Sequence, residues 1–309
     1  MSVRVAAVDC GTNSIRLLIG ESGPGGTLVE LDRRTEIVRL GQGVDATGEF
    51  HPDALRRTFT ATDGYAALIA DAGVSTDRIR FVATSASRDA RNRQEFFDGI
   101  QARLGVVPEV ITGGTEARLS FTGALSRVRP AAEPVLVMDI GGGSTELIVG
   151  TAAGELVSGI SLDMGSVRLS ERFLKVNPPE PADLAAASTY VDGLLDGTGV
   201  DFAGIGTWIG VAGTATTLAG VLLGLERYDR EQVHGARLGV GDLNAMLDRL
   251  TSMTVAEIRE LPSMHPGRAD VITAGTLIAT RIAARMAVSE LIVSESDILD
   301  GVALSLIAR

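Results

Sequence analysis

Cysteine, lysine, histidine and aromatic residues are all scarce in this chain. Cys10 is the only cysteine, so no internal disulfide can form, and the cytoplasm is the expected compartment. Lys175 is the only lysine, so nearly all positive charge is arginine. Guanidinium forks bind phosphate in a bidentate way. His51, His234 and His265 have no ligand-spaced partners, which argues against a histidine-built metal centre. Positive charge is short as well: 28 Lys and Arg face 39 Asp and Glu, for a formal net charge of −11. That balance argues against a nucleic-acid-binding surface and an anchor on an anionic membrane. It leaves room for an anionic small substrate, because a site needs only local positive charge or a metal. No low-complexity segment and no signal peptide is expected, since the apolar run Val3 to Val8 is short and meets Asp9 at once. Phe202 to Leu225 carries no charge and is long enough to span a bilayer. Its core, GIGTWIGVAGTATTLAG, is crowded with Gly and Thr, so it reads as a buried strand, a glycine turn and a buried helix start, with no membrane span.

What the chain does have is length and a repeat. Its 309 residues suit two domains, and 45% hydrophobic with 22% charged residues is ordinary for a globular protein. VAAVDCGTNSIRLLIG, from Val5 to Gly20, is nearly copied in VLVMDIGGGSTELIVG, from Val135 to Gly150. Val5, Asp9, Gly11, Ser14, Leu17 and Gly20 align with Val135, Asp139, Gly141, Ser144, Leu147 and Gly150 without a gap. Each copy reads as strand, glycine turn, strand. Glycine lets backbone N–H groups converge and lets a ligand approach the main chain. Gly11, Thr12, Asn13 and Ser14 in the first turn, and Gly141, Gly142, Gly143, Ser144 and Thr145 in the second, are therefore phosphate-binding candidates. An aspartate beside a phosphate repels it unless the carboxylate holds Mg²⁺ or its water between them. Asp139, Glu146 and Asp9 are the metal candidates. Arg16 stands where the second copy has Glu146, so the first hairpin suits phosphate and the second suits metal plus phosphate.

The rest of the chain alternates strands with helices. Helices are expected from Pro52 to about Gly73, Arg88 to Leu104, after Gly113-Gly114, Ala269 to Ala287, and Ile298 to Ile307. Short strands are expected at Arg80 to Thr84, Glu109 to Thr112, Gly154 to Leu162 and Leu291 to Val293. VRPAAEP, residues 128–134, is the linker candidate. The pattern predicts two α/β domains with a cleft between them.

Two Asp-Gly hairpins of this kind resemble the superfamily of actin, sugar kinases and acetate kinase. GVAGTATTLAG, residues 210–220, is similar to that group's third glycine motif. More narrowly, DCGTNSIRLLIG, TSASRDARN, ITGGTEARLSF, MDIGGGSTELIVG and GVAGTATTLAG resemble, in order and over nearly the whole chain, the exopolyphosphatase and guanosine pentaphosphate phosphohydrolase family. The resemblance implies two actin-like (ribonuclease H-like) α/β domains with an interdomain cleft. It puts residues 1–121 plus 298–309 in the first domain and 122–297 in the second. It implies Mg²⁺-dependent release of a terminal phosphate from inorganic polyphosphate, or from guanosine pentaphosphate, by a cytoplasmic homodimer. Two departures stand out: Leu299-Asp300-Gly301 replaces an Arg-Glu-Gly motif, and Thr115-Glu116 replaces a pair of glutamates.

Hydrolysis of a phosphoanhydride needs an in-line water, a base, and positive charge on the equatorial oxygens. The match at Thr115-Glu116-Ala117-Arg118 implies that Glu116 is the base. Arg88, at a strand-to-helix turn after TSAS, is expected to grip the terminal phosphate, with Arg91 and Arg93 solvated or secondary. Gly213 and Thr214 are expected to touch substrate or to close a packed turn; His265, Arg268 and Asp270 are expected to open a long helix, with His265 as a structural cap. Competing readings are a kinase of the same fold and a sensor that binds polyphosphate or the alarmone without cutting it.

Overall fold

A computed structural model describes residues 3–308. The chain divides into two units, Met1–Ser126 with Asp297–Arg309, and Arg127–Ser296. The first includes the whole helix Gly113–Leu125, so the change of unit falls just after that helix rather than at residue 121.

In unit one, β1 (Arg4–Cys10) and β2 (Ser14–Ser22) form the first hairpin, with Asp9 opposite Arg16. β3 (Leu28–Ile37) continues the antiparallel run. β4 (Ile79–Ala83) and β5 (Glu109–Val110) add in parallel on the other side of β1. The order is β3-β2-β1-β4-β5. β1 is central, and its run Val5–Val8 is apolar because both its faces are covered. Ala6, Val8 and Cys10 pack in the layer that holds Leu55, Tyr65 and Ile69 of the helix Pro52–Asp71. Val5 and Ala7 pack in the layer of Ile298, Leu299 and Val302, from the helix Ile298–Ile307.

Unit two repeats the plan. β6 (Val135–Ile140) and β7 (Thr145–Gly150) form the second hairpin, with Asp139 opposite Glu146. β8 (Leu156–Leu162), β9 (Thr207–Val211), β10 (Arg237–Gly239) and β11 (Glu290–Val293) complete the order β10-β11-β9-β6-β7-β8. β9 runs parallel to β6, and β11 parallel to β9. The uncharged stretch after Phe202 is β9 and the helix Ala212–Leu222, as its Gly and Thr content implies. Among the described residues no helix is long and apolar enough to cross a membrane.

Two helix expectations change. The segment Arg88 to Leu104 is two helices, Ser85–Asp89 and Arg93–Leu104, because Ala90 adopts an extended backbone. The helix expected from Ala269 spans Ile272–Ala283, since Pro266–Arg268 form a separate 3-10 turn and Val271 lies outside helical geometry. The departure at Leu299-Asp300-Gly301 also finds its reason. Asp297 and Asp300 form a capping box, and Gly301 lets the helix backbone touch Leu119: a Cβ on Gly301 would lie 2.0 Å from the Leu119 carbonyl oxygen. These residues serve a buried helix start rather than a phosphate loop.

Candidate functional site

In unit one the carboxyl ends of β1, β4 and β5 lie side by side, since Cys10 pairs with Ala83 and Ala83 with Val110. Ligands of open α/β sheets bind outside such strand ends. Three segments leave there: the turn Gly11–Asn13 and the helix starts Thr84–Arg88 and Thr112–Glu116. Hydrogen bonds tie them together. Thr84 N–H donates to the Cys10 carbonyl at 3.2 Å, and Ile111 N–H to the Ala83 carbonyl at 3.1 Å. The first turn closes through Gly11 N–H on the Ser14 carbonyl at 2.9 Å, and the Asn13 carbonyl accepts from Val38 and Arg39.

Glu116 is buried in the first turn of the helix Gly113–Leu125, with Thr112 as N-cap. Arg88 Nη1 donates to Glu116 Oε2 at 2.7 Å and to the Ile111 carbonyl at 3.1 Å. The base and the phosphate gripper expected from sequence thus form one ion pair. It orients the carboxylate, while the Nε and Nη2 edge of Arg88 meets no partner among the described residues. Arg91 is exposed, and it bonds Thr47 and Glu49.

Buried polar atoms without a partner concentrate here. Among the described residues there are eight such side-chain atoms, and Asp9 Oδ1, Thr12 Oγ1, Asn13 Oδ1 and Ser87 Oγ are four of them. Burying an unpaired polar atom costs about 1 to 3 kcal/mol, so a cluster at strand ends marks a place shaped for a ligand.

Arg16 is used differently from the expectation. Its Nε and Nη2 donate to Asp9 Oδ2 at 3.1 and 2.6 Å, and its Nη1 donates to Asp297 Oδ2. A guanidinium spent on two buried carboxylates holds the turn rather than a phosphate. Burial pushes the Asp9 carboxyl up, partly offset by Arg16. Burial opposes ionisation of Asp297 too, yet Arg16 and Arg33 together hold its carboxyl below the ordinary value. Asp9 keeps one oxygen, Oδ1, for any outside contact.

In unit two the glycine turn is braced by its own neighbours. Gly141 N–H meets the Ser144 carbonyl at 3.0 Å. The carbonyls of Gly141 and Gly142 accept from Ser166, Val167 and Arg168, and Arg168 Nε donates to the Gly143 carbonyl at 2.8 Å. Thr145 Oγ1 donates to the Met164 carbonyl. With its carbonyls drawn to one side, the turn can offer its N–H groups to an anion. Asp139 and Glu146 are both buried, and Ser161 Oγ donates to Glu146 Oε1 at 2.7 Å. Thr214 Oγ1 donates to the Ile140 carbonyl at 3.1 Å, which fastens the third glycine motif to the end of β6. Ala212 has φ of 60°, a left-handed conformation that is costly without glycine. A Cβ on Gly213 would lie 1.5 Å from Arg268 Nη1, so only glycine leaves the guanidinium its place there.

The donor set of the second hairpin fits a hard divalent cation. Two carboxylates stand opposite each other across a strand pair. Among the described residues no group of three or more His, Cys, Asp and Glu forms an all-protein cage. Mg²⁺ is commonly held this way, by one or two carboxylates plus water and substrate phosphates.

Sequence reasoning missed Thr84, Ser87, Asp297, Ser161 and Arg168, and gave Arg268 no role beyond the helix start, while the cap expected of His265 is present: its Nδ1 accepts from Gly267 N–H. The hydroxyl-rich TSAS before Arg88 was the available signal for Thr84 and Ser87. Asp297 and Arg168 lie far along the chain from the turns they touch, and no local pattern announces them.

The sequence model described as the Ppx/GppA phosphatase family matches residues 18–309. Exopolyphosphatase 2 of Mycobacterium tuberculosis is 46% identical, over 98% of each chain. The crystal structure of the Aquifex aeolicus Ppx/GppA family member is similar with a TM-score of 0.83 at 31% identity, covering 99% of this chain and 97% of that one. An exopolyphosphatase from Cytophaga hutchinsonii has a TM-score of 0.89 at 26% identity, covering 99% of this chain and 98% of that one. The two units thus have the actin-like α/β fold of those structures. With the likeness running through both units and nearly end to end, the chain belongs to the Ppx/GppA phosphatase family.

Proposed function

We propose that this protein is an exopolyphosphatase: it hydrolyses the terminal phosphoanhydride of inorganic polyphosphate and releases orthophosphate. The Arg88–Glu116 ion pair, with Glu116 buried and Arg88 partly exposed at the carboxyl ends of the unit-one strands, carries the reading. Glu116 accepts a proton from the attacking water as its oxygen bonds the terminal phosphorus. The bridging P–O bond breaks, and the shortened chain leaves as an anion. Arg88 orients Glu116 through Nη1 and offers its other edge to the terminal phosphate. The Thr12 and Ser87 hydroxyls, which lack protein partners among the described residues, and the Gly11–Ser14 and Gly141–Thr145 turns bind phosphate oxygens. Asp139 and Glu146 are the residues suited to hold Mg²⁺, which neutralises charge on the phosphates when bound. Arg16 is a positioning residue for Asp9 and the first turn. Gly213 and Thr214 shape the third glycine motif, with Arg268 as the cation beside it. The enzyme works in the cytoplasm, where a single buried Cys10 is at home, and as a homodimer.

The test is phosphate release with Mg²⁺ from polyphosphates of several lengths, guanosine pentaphosphate and ATP, run beside Glu116→Gln. Release from polyphosphate that drops about 10²- to 10⁴-fold in the variant is the expected result. Release from the pentaphosphate alone moves the protein to the alarmone, and tight binding without any release makes it a sensor.

A further inference from the structure

A second charged surface in unit one lies away from the strand ends. A groove of about 760 Å³ runs between β3 and the helix Pro52–Asp71. Arg34, Arg56 and Arg57 line it, together with Glu36, Val38 and Tyr65. The placement follows from the sheet. Arg34 and Glu36 pair with Leu17 and Ile15, whose side chains belong to the helix-side layer. Arg33, one residue away, goes to the other face and bonds Asp300 at 2.9 Å. β3 is the sheet's edge strand, so this face of it is bordered by the helix and otherwise open.

In a chain of net charge −11, the groove's charged lining is three arginines and one glutamate, with Asp32 and Asp53 beside it. Two of the three are held loosely. Arg34 pairs with Asp32, and Arg56 with Asp53, and both arginines are exposed. Such surface pairs exchange readily for a better anion. Arg57 bonds only neutral acceptors, the Val38 carbonyl at 2.8 Å and Gln42 Oε1 at 3.0 Å. Among the described residues it has no carboxylate partner. The groove also has a direction. At one end, Val38 and Arg39 donate to the Asn13 carbonyl in the first glycine turn. At the other, Arg34 lies three residues back along β3, roughly 10 Å from Ile37 at the strand rise. A single phosphate fills neither that length nor that volume.

We propose that this groove binds the distal stretch of a linear polyanion, the polyphosphate chain whose terminal unit is held at the strand ends. The inference rests on the polyphosphate reading of the active site. Arg57, next to the turn, takes the nearer phosphates, and Arg34 and Arg56 take those beyond. Long chains gain affinity from the groove, and tripolyphosphate is too short to reach it. Glu36 opposes the chain's charge and limits that gain.

Equilibrium binding of tripolyphosphate and of long-chain polyphosphate, measured without metal so that no chain is cut, tests this directly. The wild-type protein should bind the long chain more tightly. Arg34→Gln/Arg56→Gln/Arg57→Gln should weaken long-chain binding about tenfold and leave tripolyphosphate binding unchanged. Because Arg57 also supports Val38, Arg34→Gln/Arg56→Gln serves as a second variant and should lose part of the preference. Glu36→Gln should tighten long-chain binding by about threefold. A preference that survives in both arginine variants, or no preference in the wild type, overturns the groove. Phosphate release under Mg²⁺ is a separate readout, so a failed groove and a failed polyphosphate reading are told apart.

Discussion

The two hairpins share one register, yet its centre pairs Asp9 with Arg16 in unit one and Asp139 with Glu146 in unit two. The first hairpin contains its own cation, locked by a second carboxylate, Asp297. The second sets two acids face to face and adds a serine hydroxyl from the next strand. One frame thus carries two charge arrangements: an acid paired with a base in the first hairpin, and two acids opposite each other in the second. The strand order repeats as well, so Thr84–Arg88 after β4 corresponds to Ala212–Thr214 after β9. Unit one carries its arginine within that loop, as Arg88. Unit two borrows Arg268 from elsewhere and makes room for it with Gly213.

The sharpest way to break the comparison is to remove an acid from the second hairpin. Asp139→Asn should retain the fold, lose the Mg²⁺ dependence of turnover, and lower kcat roughly a thousandfold, as expected when several kcal/mol of metal stabilisation disappear. Steady-state kinetics across a Mg²⁺ titration checks it. In the first hairpin the same kind of change should hit stability. Arg16→Met removes the guanidinium that bonds both Asp9 and Asp297 and leaves Asp297 to Arg33 alone, at a cost of about 3 to 5 kcal/mol. Urea unfolding of the variant measures the loss.

Smaller effects sharpen the loop comparison. Gly213→Ala should push Arg268 aside and cost about 1 to 2 kcal/mol, whereas Ala86→Gly, in the corresponding unit-one loop, should cost about 1 kcal/mol or less. Thermal unfolding of the two variants tests the ranking. The smallest effect concerns His234. Burial first, and Arg127 second, lower its pKa below 6.5, and its Nδ1 accepts from Glu295 N–H at 3.2 Å. The folded state therefore favours the neutral ring. Its contribution is present above pH 6.5 and is lost as pH falls through the lowered folded value. His234→Gln should flatten that part of the melting-temperature profile against pH.

Much of this frame was legible in the sequence. The Asp-Gly-Ser register located both hairpins, because strand alternation and turn glycines are local signals. The TEAR stretch likewise placed Glu116 at a helix start. The break at Ala90 was hidden because the flanking residues keep helical spacing. The role of Arg16 was hidden for a deeper reason: its second partner, Asp297, is 281 residues away and meets it only once the chain has returned to unit one. The same holds for Arg168 on Gly143 and for the arginines of the groove, whose faces are decided by sheet pairing.

The central claim is that the second hairpin holds the divalent ion and the first does not. Mn²⁺ binding, followed by electron paramagnetic resonance on the wild type, Asp139→Asn and Asp9→Asn, tests it most directly. The account predicts that Asp139→Asn abolishes the bound signal and that Asp9→Asn leaves its affinity nearly unchanged. Loss of the signal in Asp9→Asn with retention in Asp139→Asn would contradict it.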